Sequence, residues 1–268
     1  MPLATPVHLL IIDPQNDFCD ISGASLPVPG ATDDLRRVAE LIGRLGSRLD
    51  VIHVTLDSHH PLHIAHPNWW HDEAGLSPSP FTVISLNDLK QGRWSARDPG
   101  QHSHSLDYLT RLAEGGRYQL TIWPEHCLIG SWGHNVQADL LDALHIWGRE
   151  QLKAVDFIAK GSNPGTEHYS AIRAEVIDPN DPGTQTNLTL LKRLAAAGTI
   201  LIAGEALSHC VAGTVRDIAS HLGDDALHKL VLLCDCSHAV PGFEALGQQF
   251  LAEMKARGVR LLTHDSIE

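Results

Sequence analysis

Cys210 stands where an apolar run, Thr199 to Gly204, passes into a helical pattern that opens at Val211. A cysteine at a helix N-terminus has its thiolate favoured by the helix dipole and by unpaired backbone N–H groups. A lone cysteine in such a place is more often an inert core residue, and two further strand ends shift that balance. Asp13 closes the run Val7–Ile12, and Lys160 follows the run Ala154–Ile158. Taken singly, the first reads as a turn former and the second as a solvated strand end. Brought to one rim, a carboxylate, an ammonium and a thiol could carry nucleophilic acyl transfer. Asp13 would take the thiol proton and return it to a leaving amine, while Lys160 favours the thiolate. Backbone N–H groups around Ala206 and Cys210 could hold the developing oxyanion.

A second cluster lies in VIHVTLDSHHPLHIAH. Asp57 and His59 are two apart at a strand end, so both can project to one side. His60, His63 and His66 follow within reach, and IWPEHC supplies His126. A carboxylate with imidazoles suits a divalent transition metal. Spacing alone leaves a solvated histidine-rich loop as the competing reading.

Stepping outward from these residues, strand-like runs at Val7–Ile12, Asp50–Leu56, Ala154–Ile158, Thr199–Gly204, Lys229–Cys234 and Val259–Thr263 alternate with helical patterns at Asp33–Leu49, His134–Trp147, Gln185–Ala197, Val211–Leu222 and Phe243–Arg257. The alternation predicts an α/β protein, a parallel sheet with helices on both faces and right-handed crossovers. Ligand sites in such sheets lie beyond the carboxyl ends of the strands, where Asp13, Asp57, Lys160 and Cys210 all fall. No composition break divides the chain, so residues 1–268 read as one domain. The segment 66–118, rich in Pro, Gly, Ser, His and Trp, is too long for an ordinary connection. Its aromatics argue against disorder, which leaves a lid over the site or a subunit contact.

Composition narrows the function. Hydrophobic content of 43% supports a full core, and a formal net charge of -12 argues against nucleic acid or an anionic membrane as partner. The five cysteines show no framework spacing, and Cys234 and Cys236, two apart in an apolar run, suit packing rather than zinc. The start, MPLATPVHLLIID, has no basic stretch leading into a cleavable apolar segment, and no run approaches membrane-spanning length. A cytoplasmic protein with reduced thiols is the expectation.

Read together and in order, LLIIDPQNDF, the D-x-H of TLDSHHPLH, WPEHC, AKGSNPG with HYSAI, and GEALSHCVAGTVRD resemble the isochorismatase-like cysteine hydrolases, and among them most of all the nicotinamidases. The matches run from about Asp13 to Asp217. The resemblance implies a three-layer α/β/α fold around a six-stranded, mainly parallel sheet. It implies a catalytic Asp13–Lys160–Cys210 triad, a cis peptide between Glu205 and Ala206, and an oxyanion hole at Ala206 and Cys210. It further implies a divalent ion on Asp57, His59 and His126, zinc first, with iron or manganese as alternatives. His63 resembles a histidine that can join or support that site. Phe18, Trp123 and Tyr169 resemble residues that line a pyridine pocket.

The activity so implied is metal-dependent hydrolysis of nicotinamide to nicotinate and ammonia through a cysteine thioester, a step of NAD salvage. The alternative is a related cysteine amidohydrolase acting on another small carboxamide. The partner is a small amide, and a homo-oligomer is expected. The chain departs from the pattern at Glu205, Leu207 and Ser208, and in the length of 66–118.

Overall fold

The computed structural model describes residues 3–268. Six parallel strands form the central sheet: β1 (Val7–Ile12), β2 (Val51–Asp57), β3 (Asp156–Lys160), β4 (Thr199–Gly204), β5 (Leu230–Leu233) and β6 (Arg260–Leu262), in the spatial order β6-β5-β4-β1-β2-β3. β1 and β4 are buried along their whole length, as unbroken apolar runs at the centre of a two-sided parallel sheet must be. Two apolar clusters cover the two faces. One gathers Leu10, Ile12, Ile200 and Ile202 with the residues of 66–118; the other gathers Leu9, Ile11, Leu201 and Ala203 with the helices around Leu35 and Leu144.

The helices are α1 (Ala31–Leu45), α2 (Leu86–Lys90), α3 (His102–Gly115), α4 (Ala138–Gln151), α5 (Leu188–Ala195), α6 (Ala212–Leu222) and α7 (Glu244–Ala256). All six expected strands and all five expected helices are present, with ends displaced by a few residues. α1 stops at Leu45 rather than Leu49 because Gly46, at φ +52°, turns the chain. β3 begins two residues later than its apolar run and carries Lys160 as its last residue.

Strand order reverses between β1 and β4, so their carboxyl ends open the crevice where ligands bind in open α/β sheets. Register delivers the chemistry there. Ile12 pairs with Gly204, which puts Asp13 beside the chain that leads to Cys210. Asp57 pairs with Lys160, so these two side chains leave adjacent strands at one level. Gly204 is required at this crossing: a Cβ would lie 2.1 Å from the Ile12 carbonyl oxygen, and its φ is +112°.

The segment 66–118 packs as part of the structure. Trp70 and Ala96 pair in a short antiparallel ribbon, Val83–Ile84 pairs with Leu120–Thr121, and α2 and α3 lie between. Trp69, Trp70, Leu89, Tyr108 and Leu112 are buried in the first cluster. α2 carries a capping box in which Ser85 and Asp88 satisfy each other's backbone amides. No helix among the described residues is long and apolar enough to cross a membrane.

Candidate active site

Asp13, at φ +45°, is held at the end of β1 by Thr55 of the neighbouring strand. Its amide donates to Thr55 Oγ1 at 3.0 Å, and that hydroxyl donates to Asp13 Oδ1 at 2.5 Å. Lys160 Nζ lies 2.9 Å from Asp13 Oδ2, 2.9 Å from Asp57 Oδ1 and 3.7 Å from Cys210 Sγ. A further bond to the His168 carbonyl, 2.9 Å, fixes the ammonium. Cys210 sits in a π turn, Leu207–Val211, that leads directly into α6. Such single π turns recur at functional sites. The Glu205–Ala206 peptide before it is cis, as the resemblance implied. The three side chains drawn from separate strand ends thus meet in one buried place.

Charge and burial set their protonation. Burial is the strongest influence on each. It lifts the Asp13 carboxyl above the usual range, with Lys160 opposing and Asp57 adding to the rise. It lifts the Cys210 thiol well above its usual value, Lys160 again opposing and the two carboxylates reinforcing it. Burial would depress Lys160, but Asp13 and Asp57 outweigh it and hold the ammonium well above its usual range. The direction of the shift favours the thiol over the thiolate at rest. The dipole argument from sequence is opposed first by burial and then by the two carboxylates.

Asp57, His59 and His126 bring one ligand atom each to within 4.8 Å of one another. His59 Nδ1 faces the Gly161 carbonyl at 3.2 Å, and His126 Nδ1 faces the Pro124 carbonyl at 2.8 Å. Those carbonyls assign the ring proton to Nδ1 on both histidines and leave the Nε2 lone pairs free. Both lone pairs then point at Asp57 Oδ2, at 2.9 and 3.4 Å. Two ring nitrogens and a carboxylate oxygen converging in a buried site need a cation among them, either a proton on Nε2 or a metal ion in its place. This donor set fits a divalent ion. The loop that carries His126 is locked by the Cys127 amide on Asp17 Oδ2, 2.6 Å, and by reciprocal backbone bonds with His59.

The remaining histidines separate by their partners. His63 accepts the Ala65 amide on Nδ1 and donates from Nε2 to the Thr166 carbonyl, so both nitrogens are used and it supports His59 from 4.4 Å without facing the carboxylate. His66 donates from Nδ1 to Pro61, and its buried Nε2 has no partner. His60 is exposed.

Phe18, Trp123, Tyr169, Ala206 and Cys210 all line one small cavity of about 20 Å³, together with Asp57 and His126. Trp123 donates its indole N–H to the Tyr169 hydroxyl at 3.0 Å, which fixes two walls at once. Glu167 and His209 also line it, and neither was singled out from the sequence. Both stand next to residues that were, since HYSAI follows Glu167 and Cys210 follows His209. Asp57's dual role was likewise hidden: it faces the imidazoles with one oxygen and Lys160 with the other.

Comparison with known proteins places this geometry. The chain is 28% identical over 258 residues to the nicotinamidase of Escherichia coli strain K12, covering 96% of this chain and 95% of that one. Among solved structures it is similar to a yeast nicotinamidase, with a TM-score of 0.67 at 21% identity, covering 96% of this chain and 99% of the other. It is also similar to the pyrazinamidase of Pyrococcus horikoshii in complex with zinc, with a TM-score of 0.57 at 21% identity and coverage of 96% and 98%. No family model matches the chain. The fold is the α/β fold of the isochorismatase-like hydrolases, and the resemblance drawn from the motifs is borne out.

Proposed function

We propose that the protein is a nicotinamidase, hydrolysing nicotinamide to nicotinate and ammonia with Asp13, Lys160 and Cys210 as its catalytic residues. The observation that carries this is the meeting of the Cys210 thiol with Lys160 Nζ at 3.7 Å, itself 2.9 Å from Asp13, on the wall of a small cavity lined by Phe18, Trp123 and Tyr169. The E. coli relative, matched over almost its whole length, supports the substrate.

The chemistry follows from the residues. Asp13 takes the proton of Cys210 as the sulfur attacks the carboxamide carbon, and Lys160 stabilises the carboxylate that must be ionised to do so. The amides of Ala206 and Cys210 receive the oxyanion. As the C–N bond breaks, Asp13 returns the proton to nitrogen and ammonia leaves. Water, deprotonated by Asp13, then attacks the thioester carbonyl, and the thiol is reformed as nicotinate departs. Phe18, Trp123 and Tyr169 hold the ring, so the carboxamide is presented to sulfur rather than having to find it. Asp57, His59 and His126 would hold the divalent ion, which when bound supplies a Lewis-acid anchor for a substrate lone pair. Zinc is our first assignment, supported by the zinc complex of the Pyrococcus protein. The segment 66–118 belongs to the same domain as the catalytic residues.

Acid quenching during turnover, followed by peptide mass spectrometry, tests the scheme. A nicotinoyl adduct on the Cys210 peptide is expected. Turnover of nicotinamide by Cys210→Ala would overturn it. If nicotinamide is not turned over, the same quench applied to other small carboxamides tests the alternative amidase reading.

A further inference from the structure

Beside the inner cavity lies a much larger, half-open one, of about 480 Å³, bordered by the segment 66–118 and the head of α7. Its walls are mainly apolar, with Ile84, Leu109, Leu112, Leu120 and Phe243 among them. One residue alone lines both cavities: His209, the neighbour of the nucleophile. Its ring is gripped from both sides. Trp123 and Tyr169, which belong to the inner cavity, lie 5.0 Å from it, centroid to centroid. Tyr118 and Phe243, which belong to the outer cavity, lie at 5.5 and 4.8 Å.

The ring is also fixed in rotation. The Val240 amide donates to Ser208 Oγ at 3.2 Å, and that hydroxyl meets His209 Nδ1 at 2.9 Å. This hydrogen bond holds the plane of the imidazole against the Ser208 hydroxyl. Burial keeps the ring neutral, with its pKa lowered to about 3. A neutral, caged imidazole has no need to move with ordinary changes of pH. Ser208, a departure from the family pattern in the sequence, here has a specific task.

We propose that His209 sets the size of the substrate: it is the partition between the small cavity at Cys210 and an outer cavity with room for a further ring, and it restricts turnover to single-ring carboxamides. This deepens the nicotinamidase reading and rests on it for the reaction, but the partition itself can be tested without turnover. Removing the ring joins about 480 Å³ to about 20 Å³ at the sulfur's side. A fused bicyclic amide then has somewhere to place its second ring.

The test has two arms. In the first, Cys210 is alkylated with iodoacetamide or with the bulky N-(1-pyrenyl)maleimide, and labelling is followed on the Cys210 peptide. The bulky-to-small rate ratio is expected to rise at least tenfold in His209→Ala. In the second, kcat/KM for quinoline-3-carboxamide relative to nicotinamide is expected to rise at least tenfold in the same variant, mainly through a lower KM for the bicyclic amide. Phe243→Ala removes the half-buried ring that backs His209 from the outer cavity. It should move both ratios the same way by a smaller factor, and it decides the matter if His209→Ala does not fold. Unchanged ratios in the folded variants overturn the proposal. Wild-type protein that ignores nicotinamide, with the alkylation ratio still raised in His209→Ala, would overturn the substrate reading and leave the partition standing.

Discussion

Lys160 is the residue whose removal tests the electrostatic logic of the site most severely. It is 3% exposed and compensates two carboxylates, Asp13 and Asp57, that are themselves 0% and 3% exposed. Replacing it with methionine keeps most of the volume and leaves two buried negative charges with no ammonium between them. Breaking a buried ion pair from one side costs about 3–5 kcal/mol, because the partner is left uncompensated. For a chain of this size that corresponds to a melting temperature lower by on the order of 10 °C. Asp13, already raised by burial and held down mainly by Lys160, would rise further, so less of it is ionised at a given pH. With less carboxylate to accept the thiol proton, kcat/KM should fall by about 10²–10⁴, the usual worth of a general base. Urea unfolding followed by tryptophan fluorescence measures the first effect. The double variant Lys160→Met with Asp13→Asn removes one orphaned charge and should recover about 1 kcal/mol or more, a coupling expected of residues in contact. A Lys160→Met protein within about 1 kcal/mol of wild type would refute the reasoning, since a buried pair broken from one side cannot be that cheap.

Other consequences can be checked alongside it. His126→Ala should lose bound metal in elemental analysis, whereas His63→Ala, whose two ring nitrogens already have backbone partners, should keep it. Gly161→Ala places a Cβ 3.0 Å from Asp57 Oδ1 and 3.1 Å from His59 Cε1 at a φ of +83°. Its metal affinity, read by competition with a chromogenic chelator, should drop about 10–100-fold, as for other changes behind metal ligands. Glu175 is buried beside Arg117 and Asp217, and burial lifts its carboxyl to about 7. A carboxyl raised in the folded state contributes stability that is complete below its unfolded value and is lost as pH rises through 7. Glu175→Gln, which mimics the protonated form, should therefore match wild type near pH 5 and exceed it by roughly 3 kcal/mol at pH 8, measured by denaturant unfolding at the two pH values.

What the sequence disclosed depended on whether a residue's role was local. β1 and β4 are unbroken apolar runs because both of their faces are covered, and their bounds were read to the residue. α5 is shorter than its pattern because Asn187 caps it, accepting the Leu190 amide, and residues 185–187 belong to the preceding turn. The meeting of Asp13, Lys160 and Cys210 was legible because each lies at or just beyond the carboxyl end of a strand, and open sheets collect such ends on one rim. Lys160's hold on Asp57 was not legible, since it arises from the register of β2 against β3, which no local pattern encodes. His209 was passed over because its importance lies in what surrounds it. Tyr118 with Trp123, Tyr169, and Phe243 come from three separate stretches of chain and converge only in the folded molecule.

Ammonia release from nicotinamide by the purified protein, with and without chelator and beside Cys210→Ala, tests the proposed activity at its source. Release by the intact protein, loss with chelator, recovery on adding back a divalent metal, and none from Cys210→Ala at any metal concentration are expected. No release from the intact, metal-loaded protein, or undiminished release from Cys210→Ala, would contradict the proposed activity.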